Sequence, residues 1–203
     1  MKVLLLVDLQ NDFLPGGSFP VKVGNEIFPA INRLLDYPFD IIIATKDWHP
    51  ADHGSFAANH HKAVGEKIML NGLEQILWPD HCIQDTHGSE FSQKWDSEIV
   101  DKIIYKGTEK SIDSYSAFFD NAMKKATGLD EFLKEIHAKE LYIAGLTTDY
   151  CVKYSVLDAL NLGYTVYVVT DASRAINLSP NDGDEALTEM QQEGAHLITS
   201  QDL

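Results

Sequence analysis

Four near-continuous apolar runs restrict this chain's fold more than any other feature. They occupy residues 2–7, 39–45, 140–146 and 164–170, with shorter runs at 102–105 and 195–199. A strand with one wet face alternates apolar and polar residues; a run that is apolar throughout is buried on both faces, as in a parallel sheet. Segments of helical period separate the runs. Ile27, Ile31, Leu34 and Leu35 predict a helix over roughly 24–36, and Phe132, Leu133 and Ile136 a helix near 129–137. Val152, Val156, Ala159 and Leu160 predict a helix from about 149 to 161, stopped by Gly163, and a last helix near 181–193 stops at Gly194. Such alternation demands right-handed crossovers and helices on both sheet faces. The expected fold class is α/β: a doubly wound, mostly parallel sheet of about six strands. One domain should span 1–203, interrupted by an excursion at about 46–101 without clean periodicity.

The charge balance narrows the partners. Against 16 basic residues stand 31 acidic ones, a formal net charge of −15. Phosphate backbones and anionic membrane surfaces both need a basic face, so neither nucleic acid nor membrane is expected as a partner. No apolar run approaches the roughly 20 residues of a membrane span, and the run at 2–7 is too short for a signal peptide. Two cysteines, Cys82 and Cys151, make no disulfide framework, so a reducing cytoplasmic setting is the expectation.

Ligands of doubly wound sheets bind beyond the carboxyl ends of the strands. The run at 2–7 ends at Asp8, the run at 39–45 leads to Asp47 and His49, the run at 102–105 to Lys106, and the run at 140–146 turns into Cys151. The stretch Leu141–Cys151 reads as a strand, a turn of small residues and a cysteine at a helix start, where the helix end favours a thiolate. A nucleophilic thiol also needs a base and a nearby cation, and Asp8 and Lys106 supply them. Asp47, His49 and His81, with His53 in reserve, form a donor set suited to zinc, iron or manganese. Asp-x-His on an extended segment turns both side chains to one side. Phe13, Trp78, Tyr115 and Phe118 are candidate walls for a flat ring. Cys82 reads as core, and His60, His61, His87, His137 and His196 as structural or exposed.

With these residues in place the chain resembles the nicotinamidase/pyrazinamidase branch of the isochorismatase-like cysteine hydrolases. The resemblance runs over essentially the whole chain. It rests on Val7–Phe13, Thr45–Pro50, Leu77–Cys82, Lys106-Gly107 with Asp113–Phe118, and Ala144–Val152. It implies a catalytic triad of Asp8, Lys106 and Cys151, an oxyanion hole from the backbone N–H groups of Thr147 and Cys151, and metal ligands Asp47, His49 and His81. Phe13, Trp78, Tyr115, Leu146 and Thr147 would contact the substrate. It also implies a cis peptide at Leu146-Thr147; the family usually has alanine where Thr147 stands, which bears on the local shape of the pocket. The implied reaction converts nicotinamide to nicotinate and ammonia through a cysteine thioester, serving NAD salvage, with pyrazinamide as a further substrate. A single divalent transition metal, zinc first and iron or manganese as alternatives, would anchor the ring nitrogen. Competing readings are a related amidohydrolase acting on a carbamoyl or ureido substrate, attack by metal-activated water with Cys151 as bystander, and a non-enzymatic binding protein. Homo-oligomerisation is left open.

Overall fold

The computed structural model describes all 203 residues. In chain order the strands are β1 (Lys2–Val7), β2 (Ile41–Asp47), β3 (Lys67–Leu70), β4 (Leu73–Ile76), β5 (Lys102–Lys106), β6 (Glu140–Leu146), β7 (Thr165–Arg174) and β8 (His196–Ile198). The α-helices are α1 (Phe28–Asp36), α2 (Leu129–Glu135), α3 (Lys153–Asn161) and α4 (Asp182–Gln192). Six strands form one all-parallel sheet in the order β5-β2-β1-β6-β7-β8.

The apolar runs of the central strands β1 and β6 are buried on both faces, as their composition requires, while the edge strands β5 and β8 are partly exposed. In β1, Val3, Leu5 and Val7 join one core layer with residues of α2, α3 and α4. The alternate residues Leu4 and Leu6 join a second layer with Phe28, Ile31 and Leu34 of α1. Strand order reverses between β1 and β6: β1 leads outward to β2 and β5, and β6 leads the other way to β7 and β8. The crevice at such a reversal is where doubly wound sheets bind ligands. Asp8 follows β1 there, and the turn carrying Cys151 follows β6.

Several boundaries differ from the sequence expectation. Residues 24–27 form a 3-10 turn, and α1 starts at Phe28 with Pro29 in its first turn, where a missing N–H is harmless. β2 begins at Ile41 rather than at Phe39 and runs on to Asp47, so that aspartate belongs to the strand. β7 continues past Thr170 to Arg174, resuming its pairing with β6 after an irregularity between Ile143 and Gly145. Gly145 has φ +124°, and any side chain there would collide with the Val7 backbone. The helix expected from 149 begins as a π-helical turn, Thr148–Val152, before α3. The long excursion contains a two-stranded antiparallel hairpin apart from the main sheet. Its loop is Asn71-Gly72, both at positive φ (53° and 87°), the pairing that two-residue hairpins favour. No helix is long and apolar enough to cross a membrane.

Candidate active site

Three strand ends bring Asp8, Asp47 and Lys106 together below Cys151. The Lys106 ammonium is the hub. Its Nζ lies 2.9 Å from Asp8 Oδ2 and 2.7 Å from Asp47 Oδ1. It also donates to the Ser114 carbonyl at 3.2 Å and sits 3.3 Å from Cys151 Sγ. The two clusters that look separate in sequence, triad and metal ligands, are therefore joined through Asp47.

Each member is held by its surroundings. Asp8 has φ +51°, outside the usual range of a non-glycine residue. Its backbone N–H donates to Thr45 Oγ1 at 3.1 Å, and that hydroxyl donates back to Asp8 Oδ1 at 2.5 Å. Gln10 grips the backbone of Asp47 on both sides: Asp47 N–H donates to Gln10 Oε1, and Gln10 Nε2 donates to the Asp47 carbonyl, each at 2.8 Å.

Burial and neighbouring charge oppose one another here. Burial pushes the Asp8 carboxyl above its ordinary value, against the pull of Lys106. Burial acts the same way on Asp47, but His49 and Lys106 overcome it and hold that carboxyl well below the usual range. Burial works to strip Lys106 of its proton, yet Asp47, Asp8 and Cys151 keep it firmly charged. For Cys151, burial raises the thiol well above its ordinary value; Lys106 opposes this, and Asp8 and Asp47 add to it. This corrects the expectation of a thiolate stabilised by a helix start. Cys151 is 6% exposed and its sulfur lies near two carboxylates, so burial and charge together favour the thiol over the thiolate.

The donors expected to hold a metal converge. His49 Nε2 and His81 Nε2 lie 3.2 and 3.4 Å from Asp47 Oδ2, and the three donor atoms lie within 4.8 Å of one another. His49 Nδ1 is paired with the Gly107 carbonyl at 2.8 Å and His81 Nδ1 with the Pro79 carbonyl at 2.7 Å. Carbonyls accept only, so both Nδ1 atoms carry a proton and each Nε2 is the atom left to bind a cation; without one, burial is outweighed by Asp47, which raises the pKa of His49 to about 9. His49 Nε2 is buried without a hydrogen-bond partner, as a ligand atom would be. Gly107 permits this approach: at φ +64°, any side chain on it would enter the His49 ring. His53 differs. Its Nδ1 accepts from the Ser55 N–H at 3.2 Å, so its proton is on Nε2, which faces the Ile112 carbonyl at 3.3 Å. Burial pushes its pKa down to about 4, leaving the ring neutral.

Above these charged side chains lies a pocket of about 310 Å³, part of it open to solvent. Asp47, His81, Thr147 and Cys151 form its polar side, and Phe13, Trp78 and Tyr115 contribute rings to its wall. Tyr115 is fixed by bonds to its hydroxyl from Trp78 Nε1 and Gln75 Nε2, each at 3.1 Å. Two sequence expectations fail. Leu146 is fully buried in the layer with α1 and does not line the cavity, because strand alternation turns its side chain away. Phe118 belongs to the other core layer, stacked near Tyr164. Cys82 is core, as expected. The Leu146-Thr147 peptide is cis.

Four lining residues escaped the sequence reading: Phe19, Asp113, Tyr150 and Ile176. Phe19 packs 5.0 Å from the His81 ring and 5.2 Å from Trp78. Its only signal was a place in the same Pro-Gly-Gly loop as Phe13. Ile176 comes from the β7–α4 connection, far from any motif. It is tied in by Asp149, which accepts from the N–H groups of Ile176 at 3.0 Å and Asn177 at 2.8 Å.

Known proteins are similar to this chain over nearly its full length. An Escherichia coli nicotinamidase is 45% identical over 204 residues, covering 99% of this chain and 96% of its own length. A solved Acinetobacter baumanii nicotinamidase/pyrazinamidase has a TM-score of 0.95 at 42% identity, with 99% of this chain and 97% of that one covered. A Pyrococcus horikoshii pyrazinamidase solved in complex with zinc has a TM-score of 0.79 at 35% identity, with 98% of each chain covered. The isochorismatase domain model matches residues 2–202, and the chain belongs to that family.

Proposed function

We propose that this protein hydrolyses nicotinamide to nicotinate and ammonia, using Cys151 as a covalent nucleophile. The observation that carries this reading is Lys106. A buried ammonium touching a thiol and two carboxylates, beneath an aromatic-walled pocket, has little purpose in a binding module. Asp8 takes the thiol proton as Sγ attacks the carboxamide carbon; their reactive atoms lie within 4.8 Å of each other. Lys106 balances the negative charge that passes from Asp8 to sulfur and on to the intermediate. The backbone N–H groups of Thr147 and Cys151 take the oxyanion, and Asp8 returns the proton to the departing ammonia. Water then hydrolyses the thioester, with Asp8 again as base.

Phe13, Trp78 and Tyr115 hold the ring, and Phe19, Tyr150 and Ile176 complete its enclosure. The donors Asp47, His49 and His81 suit a divalent transition metal; zinc is our assignment, with iron or manganese compatible with the same set. When bound, such an ion supplies a Lewis-acidic point for a ring nitrogen. Pyrazinamide, which differs by one ring nitrogen, fits the same site. The product enters pyridine-nucleotide salvage, and we place the reaction in the cytoplasm.

The test is ammonia release across a small amide panel. Nicotinamide should be turned over, and Cys151→Ala should abolish turnover. Release only from carbamoyl or ureido compounds would replace the substrate assignment, and activity surviving in Cys151→Ala would end the covalent mechanism.

A further inference from the structure

Thr147 carries a hydroxyl that nothing in the protein satisfies. The residue heads the turn bearing Cys151, with φ −110° and ψ 149°. A threonine at that position ordinarily turns its hydroxyl onto an N–H of the following turn. Here no such cap bond forms. The carbonyl of the same residue is engaged instead, accepting from Tyr150 N–H at 3.2 Å and Val152 N–H at 3.0 Å. Thr147 is 2% exposed, and its Oγ1 has no partner. Neighbouring buried hydroxyls are paired: Thr148 with Ser173 at 2.6 Å, and Thr45 with Asp8. Burying an unpaired hydroxyl is destabilising, so one that persists calls for a ligand-side explanation. Thr147 lines the same cavity as Cys151.

We propose that Thr147 Oγ1 is an additional oxyanion donor, giving its hydrogen bond to the carboxamide oxygen as Cys151 attacks. This rests on the amide-hydrolase reading above. A threonine hydroxyl is tethered close to its own backbone nitrogen, so an oxygen that accepts the Thr147 N–H is also within reach of the O–H. The step balances without an outside reagent. The S–C bond forms, the carbonyl π pair moves onto oxygen, and the thiol proton goes to Asp8. On collapse the C–N bond breaks and ammonia leaves with that proton. Thr147 keeps its own proton throughout. The leaving nitrogen receives its proton from Asp8 and so faces β1, which leaves the carbonyl oxygen toward the β6 turn that bears Thr147.

The test separates the tetrahedral state from planar ligands. Pyridine-3-carbaldehyde adds the Cys151 thiol across its carbonyl, sulfur to carbon and proton to oxygen or to Asp8, giving a tetrahedral adduct with no leaving group. Nicotinate binds the same site without one. In Thr147→Val and Thr147→Ala, kcat for nicotinamide should fall about 10–100-fold with KM moved less than about threefold. Affinity for the aldehyde should fall by a similar factor, nicotinate affinity should hold, and Thr147→Ser should restore most of the loss. Unchanged kcat and aldehyde affinity would overturn the proposal, as would an equal loss for nicotinate. Should the valine variant fail to fold, the smaller alanine carries the test. If the wild type releases no ammonia from nicotinamide, the function assignment fails, while the aldehyde comparison still decides the role of the hydroxyl.

Discussion

Removing the Lys106 ammonium would leave Asp8 and Asp47 as buried carboxylates with no counter-charge between them. Breaking a buried ion network from one side typically destabilises by about 3–5 kcal/mol. Lys106→Met should therefore lower unfolding free energy by about that amount in urea titrations, and should abolish ammonia release as well. The two cysteines offer a cleaner contrast. Burial raises both thiols above their ordinary value, so ionisation does not separate them. Access does: Cys151 opens onto the cavity, whereas Cys82 is fully buried in core. Iodoacetamide should label Cys151 at least about tenfold faster, by peptide mass spectrometry, with nicotinate protecting it. Equal rates would contradict the assignment of Cys151 to the cavity. At this scale the sequence was legible where a residue type has few uses. An aspartate, a lysine and a cysteine at strand ends were readable; Leu146 was not, because which face a strand residue takes depends on register.

The central strands of the main sheet were visible in their apolar runs, because both-face burial leaves no polar alternation to confuse them, and the edge strands β5 and β8, though partly exposed, kept short apolar runs. The β3–β4 hairpin was not, since its residues are half-exposed and short; Asn71-Gly72 was the available signal. Ile176 shows a different limit. Its place at the cavity is tied to Asp149, which sits in the π-helical turn and holds the β7–α4 connection by two backbone N–H groups. Hydrogen bonds to a charged group contribute roughly 1.5–3 kcal/mol each. Asp149→Ala should free that connection while leaving Asp8, Lys106 and Cys151 in place. Steady-state kinetics should then show KM for nicotinamide raised about tenfold, with kcat changed less. A fall in kcat with KM unchanged would mean that Asp149 shapes the nucleophile's turn instead of the ring pocket.

The whole molecule concentrates ionisable groups on one sheet edge, so metal content and pH should govern its stability together. A cation bound to the folded state alone adds about 4 kcal/mol when its concentration is 1,000 times its dissociation constant. Chelation should accordingly lower the melting temperature along with ammonia release, and elemental assay of the untreated protein should find about one ion per chain. The chelated protein then exposes a proton effect centred on His53. Its ring faces His49, with ring centroids 4.2 Å apart, and lies near Asp113 and Asp47. Burial, helped by His49, lowers its pKa from 6.5 to about 4. As pH falls through that window the unfolded chain takes up a proton that the folded chain refuses, so stability is lost between about pH 6.5 and 4. The full gap corresponds to about 3 kcal/mol. Neighbouring groups do not mimic the effect. His49, raised to about 9, contributes stability fully present below 6.5 and lost only as pH rises toward 9. Asp47 stays ionised through the window, and Asp8, whose pKa is raised, works in the opposite direction. His53→Gln removes the titrating ring and leaves these neighbours in place. Urea midpoints of the chelated proteins should therefore fall less steeply in the variant from pH 7 to 4, and parallel curves would show that the ring of His53 is protonated in the fold.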